Sequence, residues 1–331
     1  MKLRRVLTQK GPQVEALQSN TSDVWIRLST IAALDDISQR FSVPHNLATD
    51  VLTVLKLGTD GWNVLSEHVN KSTIAQPESD AALIPPLQPS SFRDFLLFEQ
   101  HFIDASRGFV KRFLPRKYKI TSLYEKLSGK TFPKFKPSPV WYNQPLYYFG
   151  NHLNFITSGD DIQQPIYSQA LDYELELGAV LAKPLFNATP KEAENAIGGY
   201  VVLNDLSARD VQMTEMQSGF GPQKAKHFLN AMSGIVITAD EIINRVNHLQ
   251  GSVSIDGVTR MHCTTEKMQY SLGEAIAYAS KSEQLHPAEL FGSGTLPGGS
   301  GMENGYWLQP NNTLCLKINE IDELTNKIVS S

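Results

Sequence analysis

The sequence predicts an α+β, β-rich fold in which a small mixed α/β N-terminal segment precedes a larger strand-rich domain. Three observations lead there. At 331 residues and 36.8 kDa the chain exceeds what one hydrophobic core usually serves. Residues 76–89 pack four prolines into fourteen positions, which restrains φ repeatedly and opposes both helix and central strand. Beyond them strand patterns dominate, with few connections of regular βαβ type. These observations place a small N-terminal domain at 1–75, a Pro-rich linker at 76–90 and the larger domain at 91–331.

In the N-terminal segment Val24 to Leu28 reads as a strand, while His45 to Leu57 and Trp62 to Val69 carry helical apolar spacing divided by Gly58 and Gly61. After the linker, Ser91 to His101 reads as a helix entered at Ser90 or Ser91, with Asp94 and His101 two turns apart on one face. Thr189-Pro190-Lys191-Glu192 combines an N-cap threonine, proline at the first helical position and capping-box spacing. Tyr200 to Asn204 is an apolar strand ending at Asp205, and Leu206 to Gln212 reads as the first turns of a helix. Gly251 to Val258 alternates into an Asp256-Gly257 turn, and Leu314 to Ile321 offers a further strand pair.

Composition narrows the function classes. Hydrophobic residues at 41% and charged residues at 19% exclude a disordered, collagen-like or coiled-coil chain. Thirty Lys+Arg against 34 Asp+Glu give a net charge of -4, hence no global basic field for nucleic acid or anionic lipid, and a small-molecule partner is expected. Cys263 and Cys315 stand outside any CxxC or Cys/His spacing, which argues against a thiolate zinc site and fits a reducing compartment. A metal would then be held by oxygen or nitrogen. Met1 to Arg5 leads into Thr8-Gln9-Lys10 with no apolar h-region, and no run approaches the roughly 20 apolar residues of a membrane span, so a cytoplasmic location is expected.

The most informative segment is Leu171 to Leu177, where Asp172, Glu174 and Glu176 alternate with apolar residues at a period of two. As a strand it sets the three acids on one face, and the apolar Ala179-Val180-Leu181 that follows carries it into the core, so the acids are expected to face an interior cavity. Like charges so placed repel, and a divalent cation relieves the conflict. The same alternation also suits a half-exposed antiparallel strand, and Asp205 at its strand-to-helix junction also suits an N-cap. Asp94 and His101 likewise read either as members of one site or as an acid near a helix N-terminus and a packed histidine.

Taken together and in order, Arg93-Asp94-Phe95 with Gln100-His101, Asp172-Tyr173-Glu174-Leu175-Glu176, Asn204-Asp205 through Arg209 to Gln212, Gly221-Pro222 through Lys226, and Gly292 to Thr295 running to Gly301-Met302-Glu303 resemble the fumarylacetoacetate hydrolase family from about Ser91 to the C-terminus. The resemblance implies a β-rich catalytic roll around a buried metal, often behind a small N-terminal domain. It implies Asp94, Glu174, Glu176 and Asp205 as carboxylate ligands of Mg²⁺ or Ca²⁺, with Mn²⁺ also suited. All-oxygen ligation independently favours such a hard cation over zinc. It further implies His101 with Glu303 as the general base, Lys226 as a catalytic cation in preference to Lys224, and Tyr148, Arg209, Gln212 and Thr295 as substrate contacts. Leu96 stands where the best-known member has a substrate-contacting tyrosine, Met216 or Gln217 stands near another, and Arg107 or Arg112 are the counterparts of an arginine for a distal carboxylate.

The activity implied is metal-dependent hydrolysis of a C–C bond in a small oxo acid, a fumarylacetoacetate- or acylpyruvate-like 1,3-dicarbonyl of the kind met in aromatic amino acid catabolism, carried out by a homodimer. Alternatives within the resemblance are a decarboxylase or keto-enol isomerase of oxaloacetate or hydroxymuconate type, and a non-catalytic metabolite-binding member. The glycines from Gly292 to Gly305 lack a Gly-Lys-Ser/Thr ending, so they read as close backbone approach to a small substrate and not as a phosphate cradle.

Overall fold

The computed structural model describes residues 1–19, 23–73 and 81–330; residues 76–80 of the linker lie outside them. The N-terminal segment contributes β1 (Lys2–Thr8), β2 (Gly11–Leu17), β3 (Trp25–Arg27), α1 (Leu34–Arg40), α2 (Val51–Lys56), α3 (Gly58–Lys71) and then β4 (Ala82–Ile84). There follow β5 (Ser91–Phe95), α4 (Glu99–Phe113), α5 (Pro115–Ser128), β6 (Tyr147–Gly150), β7 (Phe155–Ile156), β8 (Asp161–Gln163), β9 (Leu171–Asp172), β10 (Glu174–Leu181) and α6 (Pro190–Ala196). The chain continues through β11 (Ile197–Asn204), β12 (Ser207–Ala208), α7 (Arg209–Gln217), β13 (Asn230–Met232), β14 (Ile235–Thr238), β15 (Gln250–Ile255) and β16 (Val258–Thr264). It closes with α8 (Leu272–Ala279), β17 (Glu289–Ser300), α9 (Gly301–Asn304), β18 (Thr313–Ile318) and β19 (Asp322–Val329). The fold is α+β and rich in strand.

A 12-stranded sheet runs β3-β2-β1-β14-β11-β10-β17-β5-β6, with β4, β7 and β13 attached, and a five-stranded sheet runs β16-β15-β18-β19-β8. β1 pairs antiparallel with β14, Leu3 opposite Val236, so the N-terminal segment shares the main sheet. One buried cluster contains Leu3, Val54 and Trp62 together with Leu175, Leu203 and Leu316. The expected α6 capping box is present, with Thr189 Oγ1 accepting from Glu192 N and Glu192 accepting from Thr189 N. The Asp256-Gly257 turn closes the β15–β16 hairpin, where Asp256 and Gly257 adopt φ of 53° and 75°.

Two helical expectations need correction. Leu206 to Ala208 is not helical: Ser207–Ala208 pairs with β9 as β12, and α7 starts only at Arg209. Ser91 to His101 is not a helix: Ser91 to Phe95 forms β5, and the helix starts only at Glu99. The reason is long-range. β5 lies between β17, which it joins in parallel with Asp94 opposite Gly292, and β6, with Asp94 opposite Tyr148. Pairing on both sides outweighs a local apolar spacing that suits either structure. Asp94 and His101 therefore reach one site from a strand and from the first turn of the next helix.

The contact of the two sheets contains a titrating group outside the site. Asp322 Oδ2 on β19 accepts from Ile235 N on β14 at 3.2 Å, and burial pushes its carboxyl up to about 6 despite that bond. A carboxyl raised in the folded state stabilises the fold at low pH, and this contribution is lost as pH rises from the unfolded-state value through about 6. Asp322→Asn is therefore expected to become progressively more stable than the wild type between pH 4 and pH 7, by about 1–3 kcal/mol. Urea unfolding at the two pH values checks this; an offset independent of pH contradicts it.

Candidate active site

β10 is buried at all eight positions, which excludes the half-exposed reading of the acid alternation. Glu174 and Glu176 are 3% and 0% exposed and line a cavity of about 1060 Å³ with Asp94, His101, Tyr148, Arg209, Gln212, Lys226 and Thr295. Asp172 departs from the expected shared face. The strand breaks at Tyr173, and Asp172 turns to the start of α9, where it accepts from Gly301 N at 2.8 Å and Met302 N at 3.0 Å. An acid at a helix N-terminus satisfies otherwise orphaned N–H groups.

Carboxylate oxygens of Asp94, Glu176 and Asp205 lie within 4.8 Å of one another, all buried. They come from β5, β10 and the end of β11. β17 runs between β10 and β5, and its Gly292 lies opposite both Gly178 and Asp94. A Cβ on Gly292 would fall 2.4 Å from Asp94 Oδ1 and 2.8 Å from Glu176 Oε2. The expected close approach at this glycine is thus to the carboxylates themselves. Thr295 donates to Glu176 Oε1 at 3.5 Å, and Tyr148 donates to Asp205 Oδ2 at 2.6 Å.

Glu174 lies beside these three and is joined to Asp205 through Lys226. It accepts from Arg209 Nη2 at 2.6 Å and from Lys226 Nζ, and Lys226 also donates to Asp205 Oδ2. Arg209 further bonds Asp172 through Nε at 2.8 Å and Gln212 through Nη1 at 2.9 Å. The two lysines differ in burial: Lys226 is 4% exposed, whereas Lys224 is exposed and lies over the Tyr167 ring.

The electrostatics follow from this arrangement. Burial, reinforced by Asp205, pushes the Asp94 carboxyl well up, and burial with Asp94 and Asp205 does the same to Glu176. Asp205 is also raised, burial outweighing the nearby Lys226 ammonium. Burial acts in the same direction on Glu174, but Arg209 and Lys226 outweigh it and hold that carboxyl below the usual range. Among the described residues, five buried acids, Asp94, Asp172, Glu174, Glu176 and Asp205, gather near two buried cations: Arg209 pairs with Asp172 and Glu174, and Lys226 with Glu174 and Asp205. Glu176 Oε2 and Asp205 Oδ1 are buried oxygens without a hydrogen-bond partner. Unpaired buried carboxylate oxygens, excess negative charge and an all-oxygen donor set fit a hard divalent cation.

His101 is buried in the first turn of α4 and presents both ring nitrogens to acids. Nδ1 lies 3.0 Å from Glu303 Oε2, at ion-pair distance though off the line of a good hydrogen bond, and Nε2 lies 3.9 Å from Glu174 Oε1. Burial alone would lower the imidazole pKa, but Glu303 and then Glu174 outweigh it and raise it. Glu303 is the third residue of α9 and completes a capping box, accepting from Ser300 N at 3.2 Å and Ser300 Oγ at 2.9 Å. Both this box and the Asp172 contact escaped sequence reading, although Ser300-x-x-Glu303 carries the spacing that marks the first.

A family model described as Fumarylacetoacetate (FAA) hydrolase C-terminal matches residues 124–329. Asp94 and His101 lie upstream of the match and reach the acids through the fold. "Oxaloacetate tautomerase fahd2, mitochondrial" of Xenopus laevis is 27% identical over 187 residues, 56% of this chain and 58% of that one. "Fumarylacetoacetate hydrolase domain-containing protein 2 homolog" of Dictyostelium discoideum is 27% identical over 181 residues, 51% of this chain and 58% of that one. The chain thus spans about 58% of the length of these curated relatives. Among solved structures, a fumarylacetoacetate hydrolase from Exiguobacterium antarcticum superposes with a TM-score of 0.68 at 17% identity, covering 100% of both chains. Fumarylpyruvate hydrolase from Pseudomonas aeruginosa in complex with Mn²⁺ and pyruvate superposes with a TM-score of 0.55 at 18% identity, covering 79% of this chain and 94% of that one. At these identities the structural likeness is one of fold. With the model matching more than half of its length, the chain belongs to the fumarylacetoacetate hydrolase family.

Proposed function

We propose that the protein is a divalent-metal-dependent hydrolase that cleaves a C–C bond in a 1,3-dicarbonyl oxo acid of acylpyruvate type. The observation that carries this reading is that His101, paired with Glu303, lines one cavity with Asp94 and Glu176, which cluster with Asp205. Asp94, Glu176 and Asp205 would hold the ion, with Glu174 beside them. When bound, Mg²⁺, Ca²⁺ or Mn²⁺ supplies Lewis-acid polarisation of a carbonyl and stabilisation of an enolate.

The chain's own residues do the rest. His101 takes the proton of a water molecule, and Glu303 orients the imidazole and stabilises its protonated form. Lys226 sets positive charge where negative charge develops, and Arg209 with Gln212 shapes the wall beside it. Arg209 is bonded to Asp172, Glu174 and Gln212, which suits a role in holding the carboxylates in place.

A tautomerase reading keeps the same metal and requires no attack by water; the relatives named oxaloacetate tautomerase favour it. The two separate by product. Protein loaded with Mg²⁺ or Mn²⁺ is expected to release pyruvate from acetylpyruvate, followed by NMR, with oxaloacetate as the parallel substrate. Enol–keto exchange of oxaloacetate with no pyruvate from acetylpyruvate would overturn the hydrolase reading.

A further inference from the structure

The cavity extends far beyond the acids, along α4, α5 and the segment 132–146, and its walls there are apolar: Phe102, Phe109, Phe132, Phe135, Trp141 and Leu146. Its volume of about 1060 Å³ lies at the top of the range of about 300–1,000 Å³ that accommodates drug-sized ligands, well above what a short oxo acid fills. The apolar wall continues to the mouth, where Ile120 and Met216 line the cavity while 70% and 54% exposed.

Among the described residues, no buried cation stands at the far end. Arg107 is engaged by Asp104 and Glu125, and Arg112 lies over the Trp307 ring with its guanidinium carbon 3.6 Å from the centroid. Neither lines the cavity. Arg209, the arginine that does, is held at the acid end by Asp172 and Glu174. Lys226, which also lines the cavity, is held at the same end by Glu174 and Asp205, and the other lining lysines, Lys117 and Lys134, are solvent-exposed. A distal carboxylate would lose its hydration among aromatic rings with no buried partner, whereas an alkyl chain or aryl ring would gain by leaving water.

We propose that the substrate is an acylpyruvate whose acyl group is extended, uncharged and apolar; this rests on the hydrolase reading above. The oxygen of water joins the acyl carbonyl carbon, and the bond from that carbon to the methylene breaks. The electron pair stays on the methylene carbon, which takes up the proton. The products are pyruvate and a fatty or arylcarboxylic acid.

The experiment compares acetyl-, hexanoyl-, decanoyl- and benzoylpyruvate, together with a decanoyl analogue ending in a second carboxylate, on the Mn²⁺-loaded full chain. kcat/KM is expected to rise roughly three- to fourfold per added methylene until the cavity fills, and to fall at least about tenfold when the terminal carboxylate is added. Ala105→Leu, which narrows the cavity, and Ile120→Glu, at an exposed position the fold tolerates, are each expected to lower the decanoyl-to-acetyl ratio. Turnover of acetylpyruvate with no gain on lengthening, or with preference for the terminal carboxylate, overturns the inference and leaves the hydrolase reading standing. If no acylpyruvate is cleaved, the hydrolase reading falls and calorimetry decides on the site: decanoate binding at least tenfold tighter than decanedioate supports an apolar site, and equal binding overturns it.

Discussion

His101→Ala is expected to lower kcat for the proposed acylpyruvate cleavage by about 10²–10⁴-fold and to leave Mn²⁺ affinity within a few-fold of the wild type. Proton transfer by a positioned imidazole is worth about that range. His101 is 6% exposed, its Nδ1 faces Glu303 at 3.0 Å, and its ring belongs to α4 and not to the strands that carry Asp94, Glu176 and Asp205. Losing the ring therefore removes the base while the acids keep their places. Glu303→Gln sharpens the test. Glutamine still serves the third position of a capping box, so the Ser300 cap is retained. What disappears is the charge that favours the protonated imidazole, and kcat is expected to fall with little change in thermal stability. Pyruvate release measures kcat and calorimetry measures the metal; unchanged kcat in His101→Ala would remove the histidine from the mechanism.

Gly108→Ala is expected to cost about 10²-fold in kcat with smaller changes in KM and metal affinity. Gly108 sits two turns beyond His101 on α4, and a Cβ there would fall 1.7 Å from the carbonyl oxygen of Met302 and 2.8 Å from its carbonyl carbon. Both atoms are backbone of α9, one residue before Glu303, so no side chain can swing aside. α4 must draw back from α9, and that moves His101 from Glu303. Displacements of about 1 Å cost on the order of 10²-fold in catalysis, and overpacking costs about 1–3 kcal/mol in stability. A purely structural role predicts lower stability with normal kcat in the folded fraction. Steady-state kinetics beside a thermal melt separates the two, and kcat within twofold of the wild type contradicts the positioning account.

What could be read before the structure depended on how local each signal is. The α6 capping box, the β15–β16 hairpin and the part of the acidic strand from Glu174 onward each hold their evidence within a few adjacent residues, and each formed as expected. β5 did not, because the partners that make Ser91 to Phe95 a strand are Glu289 to Gly292 and Tyr147 to Gly150, remote in sequence. The acids Asp94, Glu176 and Asp205 came together as anticipated, yet Glu174 lies with Arg209 and Lys226, a partnership no spacing discloses. Asp172 illustrates the same limit: its period-two placement predicts a shared face, and the break at Tyr173 sends it to cap α9 instead. Gly292 was legible as a close approach but not as an approach to carboxylates.

The central claim is that the buried acids hold one divalent ion. Calorimetric titration of chelator-treated protein with Mn²⁺, for the wild type and Glu176→Gln, tests it most directly. Glu176 is fully buried with one oxygen unpartnered, so the substitution removes a ligand and a charge while preserving shape. The account predicts one Mn²⁺ per wild-type chain and binding at least about 100-fold weaker in the variant, beyond what disturbing an outer-shell partner costs. No Mn²⁺ binding by the wild type, or equal affinity in the two proteins, would contradict it.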